Sequence, residues 1–256
     1  MISKKQVVQT IRSAVEPLEY VYGMFEGGAI AFGRQDDYSD IDIHFVAADE
    51  RIGDVLPIIE QALLILAPIK DKFELPQPTW FGGAQTFFRL EGHPEWLMID
   101  CAVMKNSAED KFLEKEVHGN HIVHFDKTGV IASLPEYDFS TAENAIKRRL
   151  PSMGAQMTML SHLPRKSLLR GKNIDAIHFY NGLILRPLLG LIRIKYDPKR
   201  HDWSPRYLAG YVPADEIEKY EQLNFVADAN DLTSKTDEAL AWFWELHAEL
   251  MAQYKL

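Results

Sequence analysis

Cysteine is nearly absent from this sequence: Cys101 is the single cysteine among 256 residues. One cysteine cannot form an intrachain disulfide or a cysteine-rich metal site. Internal repeats and low-complexity segments are also missing. Together with a composition of 46% hydrophobic and 25% charged residues, these absences exclude a fibrous, collagenous or wholly disordered chain.

The sequence also lacks a long hydrophobic run. The longest apolar stretch, residues 181–194, is interrupted by Arg186 and Pro187, and it is too short and too charged to span a bilayer. The N-terminal residues MISKKQVVQT are polar and lack the apolar core of a signal peptide. We therefore expect a soluble cytoplasmic protein that does not bind a membrane.

Basic residues are scarce relative to acidic ones. Lys and Arg number 28 against 37 Asp and Glu, which gives a formal net charge of -9. A non-specific nucleic-acid binder needs a basic surface, so this balance argues against a nucleic-acid partner. A cationic small substrate is compatible with it.

The spacing of apolar residues along the sequence changes near residue 135. Before it, short apolar runs alternate with Gly and Pro; from residue 140 the apolar spacing is helical almost throughout. This shift is expected for an α/β or α+β domain followed by a helical domain. Helices are predicted at residues 3–15, 51–66, 108–118, 140–161, 172–195, 213–224 and 234–254, and strands at 20–26, 40–46, 81–90, 96–104 and 121–125.

Two aspartates, Asp40 and Asp42, lie two residues apart on the predicted strand 40–46. Because side chains alternate along a strand, both carboxylates point to one face, roughly 6–7 Å apart along the chain. Like charges held that close repel each other unless a cation lies between them. Mg²⁺ prefers one or two carboxylates together with substrate phosphates, so the pair suggests a nucleotide–metal site; the alternative is a solvated strand end.

A glycine-rich segment, residues 27–34, precedes this strand and follows the predicted strand 20–26. Backbone N–H groups in such a turn can bind phosphate. A third carboxylate, Asp100, interrupts an otherwise apolar strand, where a charge is costly unless it is paired or bound to a metal. The alternatives for Asp100 are a position at the strand end or pairing with Arg89 on the neighbouring predicted strand.

This arrangement resembles the signature of the DNA polymerase β-type nucleotidyltransferase superfamily. The small-molecule members of that superfamily carry Gly-Ser, a small spacer that contains Gly, the sequence Ser-Asp-x-Asp, and a third Asp on a later strand. The matching residues in this chain are Gly28, Ala31, Gly33, Ser39, Asp40, Ile41, Asp42 and Asp100. The chain resembles in particular the bacterial antibiotic nucleotidyltransferases, such as the aminoglycoside adenylyltransferases, in which a helical bundle follows the catalytic domain.

The resemblance implies an α+β fold. A nucleotidyltransferase catalytic domain at residues 1–135, with a mixed sheet flanked by helices, is expected to precede a helical bundle domain at residues 140–256. It implies transfer of a nucleoside monophosphate, such as AMP from ATP, to a hydroxyl group of a small molecule. An aminoglycoside-like antibiotic is the implied kind of acceptor, and antibiotic resistance the implied role. The expected partners are thus a nucleoside triphosphate and a small-molecule acceptor, with Mg²⁺ as the cofactor.

The resemblance also assigns roles to individual residues. The implied catalytic and metal-binding residues are Asp40, Asp42 and Asp100. Asp100 either shares a metal ion or accepts the proton of the attacking hydroxyl group. The implied nucleotide-binding residues are Gly28, Ala29, Gly33, Arg34 and Ser39.

One position departs from the family signature. Ala29 stands where the family has a serine whose hydroxyl group helps to hold the nucleotide phosphates. The backbone N–H groups of the turn remain available for this task. The departure leaves open a non-catalytic nucleotide-binding protein. The chemistry also allows an enzyme that modifies a protein side chain, although such chains are commonly much shorter.

Overall fold

The computed structural model describes residues 2–77, 79–133 and 137–256. The chain divides into two compact units, Met1–Tyr137 and Asp138–Leu256. The first unit combines a mixed sheet with helices and the second is helical, which confirms the predicted α+β fold class. The position predicted for the end of the first domain, residue 135, lies outside the described residues.

Six strands form the sheet of the first unit. They are β1 (Val21–Glu26), β2 (Ile41–Ala47), β3 (Ile69–Glu74), β4 (Ala84–Leu90), β5 (Ile99–Lys105) and β6 (Ile122–Asp126). Their order in the sheet is β3-β4-β5-β2-β1-β6. The pair β2–β5 is parallel and the other neighbouring pairs are antiparallel. Since β2 and β5 run in the same direction, the residues at their beginnings meet at one edge of the sheet.

Two longer helices pack on one face of this sheet. The helices of the first unit are α1 (Lys4–Val15), α2 (Gly28–Ala31), α3 (Ile52–Leu66) and α4 (Lys115–His118). A capping box starts α1, because the Ser3 hydroxyl accepts from the Gln6 N–H while the Gln6 side chain accepts from the Ser3 N–H. Ile11 of α1 and Ile59 of α3 are fully buried against the sheet in the same core as Ile43 of β2.

The strand β2 alternates between two environments. Ile41 and Ile43 are buried in the core formed with α1 and α3. Asp42 and His44 alternate with them and therefore lie on the opposite face of the sheet, where both are partly exposed. The candidate site residues of β2 are thus separated from the main core by the sheet itself.

The second unit consists of six α-helices. They are α5 (Phe139–Leu160), α6 (Leu163–Leu169), α7 (Asn173–Phe179), α8 (Arg186–Tyr196), α9 (Ala214–Asn224) and α10 (Ala229–Gln253). A π-helical segment, Tyr180–Leu185, joins α7 to α8 without a break, which confirms a continuous helix close to the predicted range 172–195. The helix α6 was not predicted from the sequence. Pro164 lies in the first turn of α6. Proline is tolerated there because N–H groups in the first turn have no partner within the helix, so Pro164 marks the start of a helix.

Two segments of the first unit differ from the sequence-based expectation. The predicted helix 108–118 is wrong over most of its length, since only Lys115–His118 is helical. Before it, the Phe112 N–H donates to the Asp110 carboxylate at 2.7 Å and Phe112 adopts a φ of 57°. Such side-chain bonds to the backbone compete with helix formation. The strand β3 was not predicted because its exposed residues lack an apolar alternation.

The described part of the chain contains no helix that is both long enough and apolar enough to cross a membrane.

Candidate active site

Two carboxylates emerge side by side from the paired strands β2 and β5. Asp42 and Asp100 are direct neighbours in the parallel register. Neighbouring strands lie about 4.8 Å apart, and register partners point to the same face of the sheet. Both residues are partly exposed. Two acids that are distant in the sequence are thus brought to one place by strand pairing.

The third acid, Asp40, lies directly before β2. Its Oδ1 accepts a hydrogen bond from the Met98 N–H at 3.2 Å. The Ile41 N–H donates in turn to the Met98 carbonyl at 2.9 Å. These two bonds fasten the beginning of β2 to the beginning of β5, so Asp40 lies at the same edge of the sheet as Asp42 and Asp100.

The glycine segment packs directly against Asp42. Gly28 has a φ of 62°, and a Cβ atom added to it would lie 1.8 Å from Oδ2 of Asp42. The Gly27 N–H donates to the carbonyl oxygen of Asp42 at 3.0 Å. After Gly28 the chain forms the short helix α2, where the sequence suggested an open turn. Position 28 therefore requires glycine twice, for its backbone conformation and for the space that Asp42 fills.

Three further predicted nucleotide-binding residues follow along the same segment. Ala29 lies in α2 and is partly exposed. Gly33 has a φ of 64° and ends the turn of chain that follows α2. The Arg34 N–H donates to the Ala29 carbonyl at 3.0 Å, and the Arg34 guanidinium lies 5.7 Å from the centre of the Phe32 ring. All three therefore belong to one local structure that begins at Gly28.

The hydroxyl group of Ser39 is used within its own loop. It donates to Oδ1 of Asp36 at 2.7 Å and accepts from the Asp36 N–H at 2.9 Å. The bond from Ser39 holds the pKa of Asp36 below its ordinary value. The Lys4 ammonium group donates to the backbone carbonyls of Asp36 and Ser39. Ser39 thus shapes the loop that leads into Asp40.

Gln85 is a neighbour of Asp100 that sequence reasoning missed. Its Nε2 donates to both carboxylate oxygens of Asp100, at 2.7 and 2.9 Å. Arg89, the alternative partner considered for Asp100, instead pairs with Asp71 of β3 at 2.8 Å. Both strands, β4 and β5, were predicted from the sequence, and Gln85 is a polar residue within the strand predicted at residues 81–90. That residue could have been considered as a partner for Asp100.

Gln85→Leu is expected to slow about tenfold the nucleotide transfer that the family resemblance implies, because Asp100 loses the two hydrogen bonds from Gln85. Gln85→Glu should slow it at least as much, since it adds a negative charge beside the carboxylates of Asp40, Asp42 and Asp100. Initial rates at saturating triphosphate measure both effects. Wild-type rates for the leucine variant would contradict an orienting role for Gln85.

A histidine continues the β2 face beyond Asp42. Burial lowers the pKa of His44 to about 3, with further contributions from His121 and His118. The imidazole is therefore neutral at ordinary pH. Its ring stacks on Phe25 with centroids 5.0 Å apart and planes inclined by 9°. Burial also lowers the pKa of His121, so the region beside the glycine segment holds neutral imidazoles rather than cations.

A second group of ligand-type side chains lies in the segment before and within α4. Asp110, Glu114 and His118 each offer one ligand atom, and these atoms all lie within 4.8 Å of one another. Nε2 of His118 is 3.7 Å from Oε2 of Glu114. This group was not predicted from the sequence. The three residues are spaced four apart in the sequence, and this spacing could have indicated the group.

No protein-family model matches the chain, and no curated protein matches it either. Solved structures with a similar fold include an aminoglycoside 6-adenyltransferase from Bacillus subtilis, at 15% identity and a TM-score of 0.40, over 98% of this chain and 91% of that one. A nucleotidyltransferase-like protein from Exiguobacterium sibiricum is similar at 14% identity and a TM-score of 0.40, over 98% of this chain and 78% of that one.

A spectinomycin adenyltransferase from Enterococcus faecialis, solved with ATP and spectinomycin, is similar at 12% identity and a TM-score of 0.36, over 94% of this chain and 99% of that one. At such values the likeness concerns the fold and assigns no residue of this chain a role. A function for this chain is therefore inferred from its own residues.

Proposed function

We propose that this chain is a Mg²⁺-dependent nucleotidyltransferase of the DNA polymerase β type. It transfers AMP from ATP to a hydroxyl group of a small molecule such as an aminoglycoside-like antibiotic. The observation that carries the proposal is the placement of Asp42 and Asp100 on adjacent parallel strands, with Asp40 at the same edge and Gly28 packed against Asp42.

The chemistry of these side chains fits a magnesium ion. Carboxylate oxygens are hard ligands of the kind that Mg²⁺ prefers, and the ion takes its remaining ligands from water and substrate phosphates. Asp42 and Asp100 are neighbours in the register, and a divalent cation offsets the repulsion between their charges. Asp40, Asp42 and Asp100 would hold it. When bound, the ion supplies charge neutralisation at the α-phosphate and the leaving pyrophosphate.

The residues of the chain supply position and proton transfer. The acceptor oxygen forms a bond to the α-phosphorus while the α–β anhydride bond breaks and pyrophosphate leaves. The hydroxyl proton passes to a carboxylate, and Asp100, oriented by Gln85, is suited to accept it or to share the cation. Gly28 and Ala29 carry no bulky side chain, so phosphate oxygens can approach the backbone N–H of Ala29 closely.

The proposal is tested by incubating the protein with Mg²⁺, each of the four ribonucleoside triphosphates in turn, and a panel of aminoglycosides, spectinomycin and lincosamides. We expect one acceptor class to gain the mass of one nucleotide, with ATP as the preferred donor and with loss of product in EDTA. The absence of product together with the absence of Mg²⁺-dependent triphosphate binding in calorimetry would refute the proposal.

Ala29 supports one alternative, a nucleotide-binding protein without transferase activity, because the family's phosphate-holding serine hydroxyl is missing at this position. Tight, Mg²⁺-dependent binding of a triphosphate without product for any acceptor would favour this alternative. The same calorimetric titration and acceptor panel therefore separate the two functions.

Ala29→Ser is expected to strengthen Mg²⁺–ATP binding by roughly three- to tenfold, because it adds one hydroxyl group that can donate to a phosphate oxygen. Ala29 is partly exposed, so the added oxygen atom needs no repacking. Calorimetry on the variant and the wild-type protein measures the change. Equal or weaker binding by the serine variant would place the phosphates away from position 29.

A further inference from the structure

His44 fills the space that Gly27 leaves free beside the glycine segment. A Cβ atom added to Gly27 would lie 3.0 Å from Cε1 and 3.2 Å from Nδ1 of His44, and 3.8 Å from Nδ1 of His121. The Nδ1–Cε1 edge of the His44 ring therefore faces Gly27. Asp42 and His44 both point to this face of β2. Their side chains thus fill the space that side chains at Gly28 and Gly27 would need.

The nitrogen on that edge is buried and lacks a partner. Nδ1 of His44 is inaccessible to solvent and has no hydrogen-bond partner in the part of the chain that the structure describes. A buried polar atom left in this state is destabilising, so such atoms are rare and call for an explanation. Phe25 stacks on one face of the ring, and the centroid of the Phe112 ring lies 6.4 Å from that of His44.

The glycine segment lies directly beside this nitrogen. The Gly27 N–H is already committed to the Asp42 carbonyl, and the next N–H group along the chain is that of Gly28. A peptide unit between two glycines can rotate at little steric cost. A neutral imidazole protonated at Nε2 accepts a hydrogen bond at Nδ1.

We propose that His44 is a positioning residue for the nucleotide site, whose Nδ1 accepts a hydrogen bond from the Gly27–Gly28 backbone, directly or through one ordered water, when a nucleoside triphosphate is bound. The inference rests on the proposed function and deepens it. Because Gly28 also packs against Asp42, a segment held by His44 presents its backbone and the metal-binding carboxylate together.

The test uses the full chain and three variants of His44. His44→Asn keeps an amide atom as many bonds from Cα as Nδ1, and His44→Gln keeps one as many bonds away as Nε2, while both lose the ring stacked on Phe25. His44→Phe keeps a ring and loses both nitrogens. Binding of a non-hydrolysable ATP analogue with Mg²⁺ is measured by calorimetry. We expect about tenfold weaker binding for the glutamine and phenylalanine variants and a loss of less than about threefold for asparagine.

A second readout follows the glycine segment itself. Amide hydrogen exchange of residues 26–33, measured for each variant at saturation with the ATP analogue and Mg²⁺, is expected to be faster in the glutamine and phenylalanine variants than in the asparagine variant, while exchange in α1 stays unchanged. Equal behaviour of the asparagine and glutamine variants in both measurements overturns the inference. A wild-type protein that binds no triphosphate refutes the proposed function instead, so the wild-type titration tells the two failures apart.

Discussion

Asp42→Asn is expected to abolish nucleotide transfer, with a fall of about a thousandfold or more. The substitution keeps the shape of the side chain and its contact with Gly28 but removes one negative charge from the pair with Asp100. A lost cation ligand removes several kcal/mol of charge stabilisation from the reaction. Transfer rates under saturating ATP and Mg²⁺ measure the effect.

The fold should survive this change. Removing one of two neighbouring like charges relieves repulsion, so the thermal midpoint should stay the same or rise slightly. Asp37→Asn is the matched control, because Asp37 is an exposed acid in the loop before Asp40 and its neutralisation changes the net charge equally. Full activity of the Asp42 variant, or equal losses in both variants, would contradict the assigned role of Asp42.

Gly28→Ala is expected to lower triphosphate binding at least about a hundredfold. The new methyl group would lie 1.8 Å from Oδ2 of Asp42, and the backbone would remain at a φ of 62°. The positive φ alone costs about 1–2 kcal/mol for a residue with a Cβ atom. The collision must in addition displace either the glycine segment or the Asp42 carboxylate, and each displacement disrupts the proposed site.

Gly171→Ala separates these two causes, because Gly171 lies outside the glycine segment. Gly171 has a similar φ, 69°, but a Cβ atom added there meets nothing within 4 Å. The variant should therefore lower the free energy of unfolding by about 1–2 kcal/mol, which is the cost of the positive φ. Its triphosphate binding should stay within a fewfold of wild type. Calorimetry and thermal unfolding on both variants provide the comparison. Similar binding losses at the two positions would show that backbone strain, and not the contact with Asp42, decides the outcome.

Local sequence signals predicted the frame of the candidate site well. The strands β1 and β2 and the helices α1 and α3 lie within a few residues of their predicted ranges, because each carries a clear apolar period and is bounded by turn residues. The same alternation correctly placed Asp42 on the face away from Ile41 and Ile43. These features depend on residues that are close in the sequence, so they can be predicted from the sequence alone.

Contacts between distant segments were predicted less well. The segment 108–114 has a helical apolar spacing, but a bond to the Asp110 side chain and the positive φ of Phe112 hold it in turns. Arg89 was considered as a partner for Asp100. The register of β3 with β4 instead places Arg89 opposite Asp71, with which it forms an ion pair. Gln85 is the residue that donates to Asp100. Strand register is decided by the packing of whole elements, and no single residue reveals it.

The sequence by itself determined the α+β division, the alternation that separates Asp42 from the core, and the two consecutive glycines before it. Those properties follow from hydrophobic period and backbone freedom, which are local. Only the tertiary structure decided that Asp100 is the register partner of Asp42, and that the glycines make room for Asp42 and His44. Both depend on how separate strands and turns pack in space, and hydrophobic period and backbone freedom do not encode that packing.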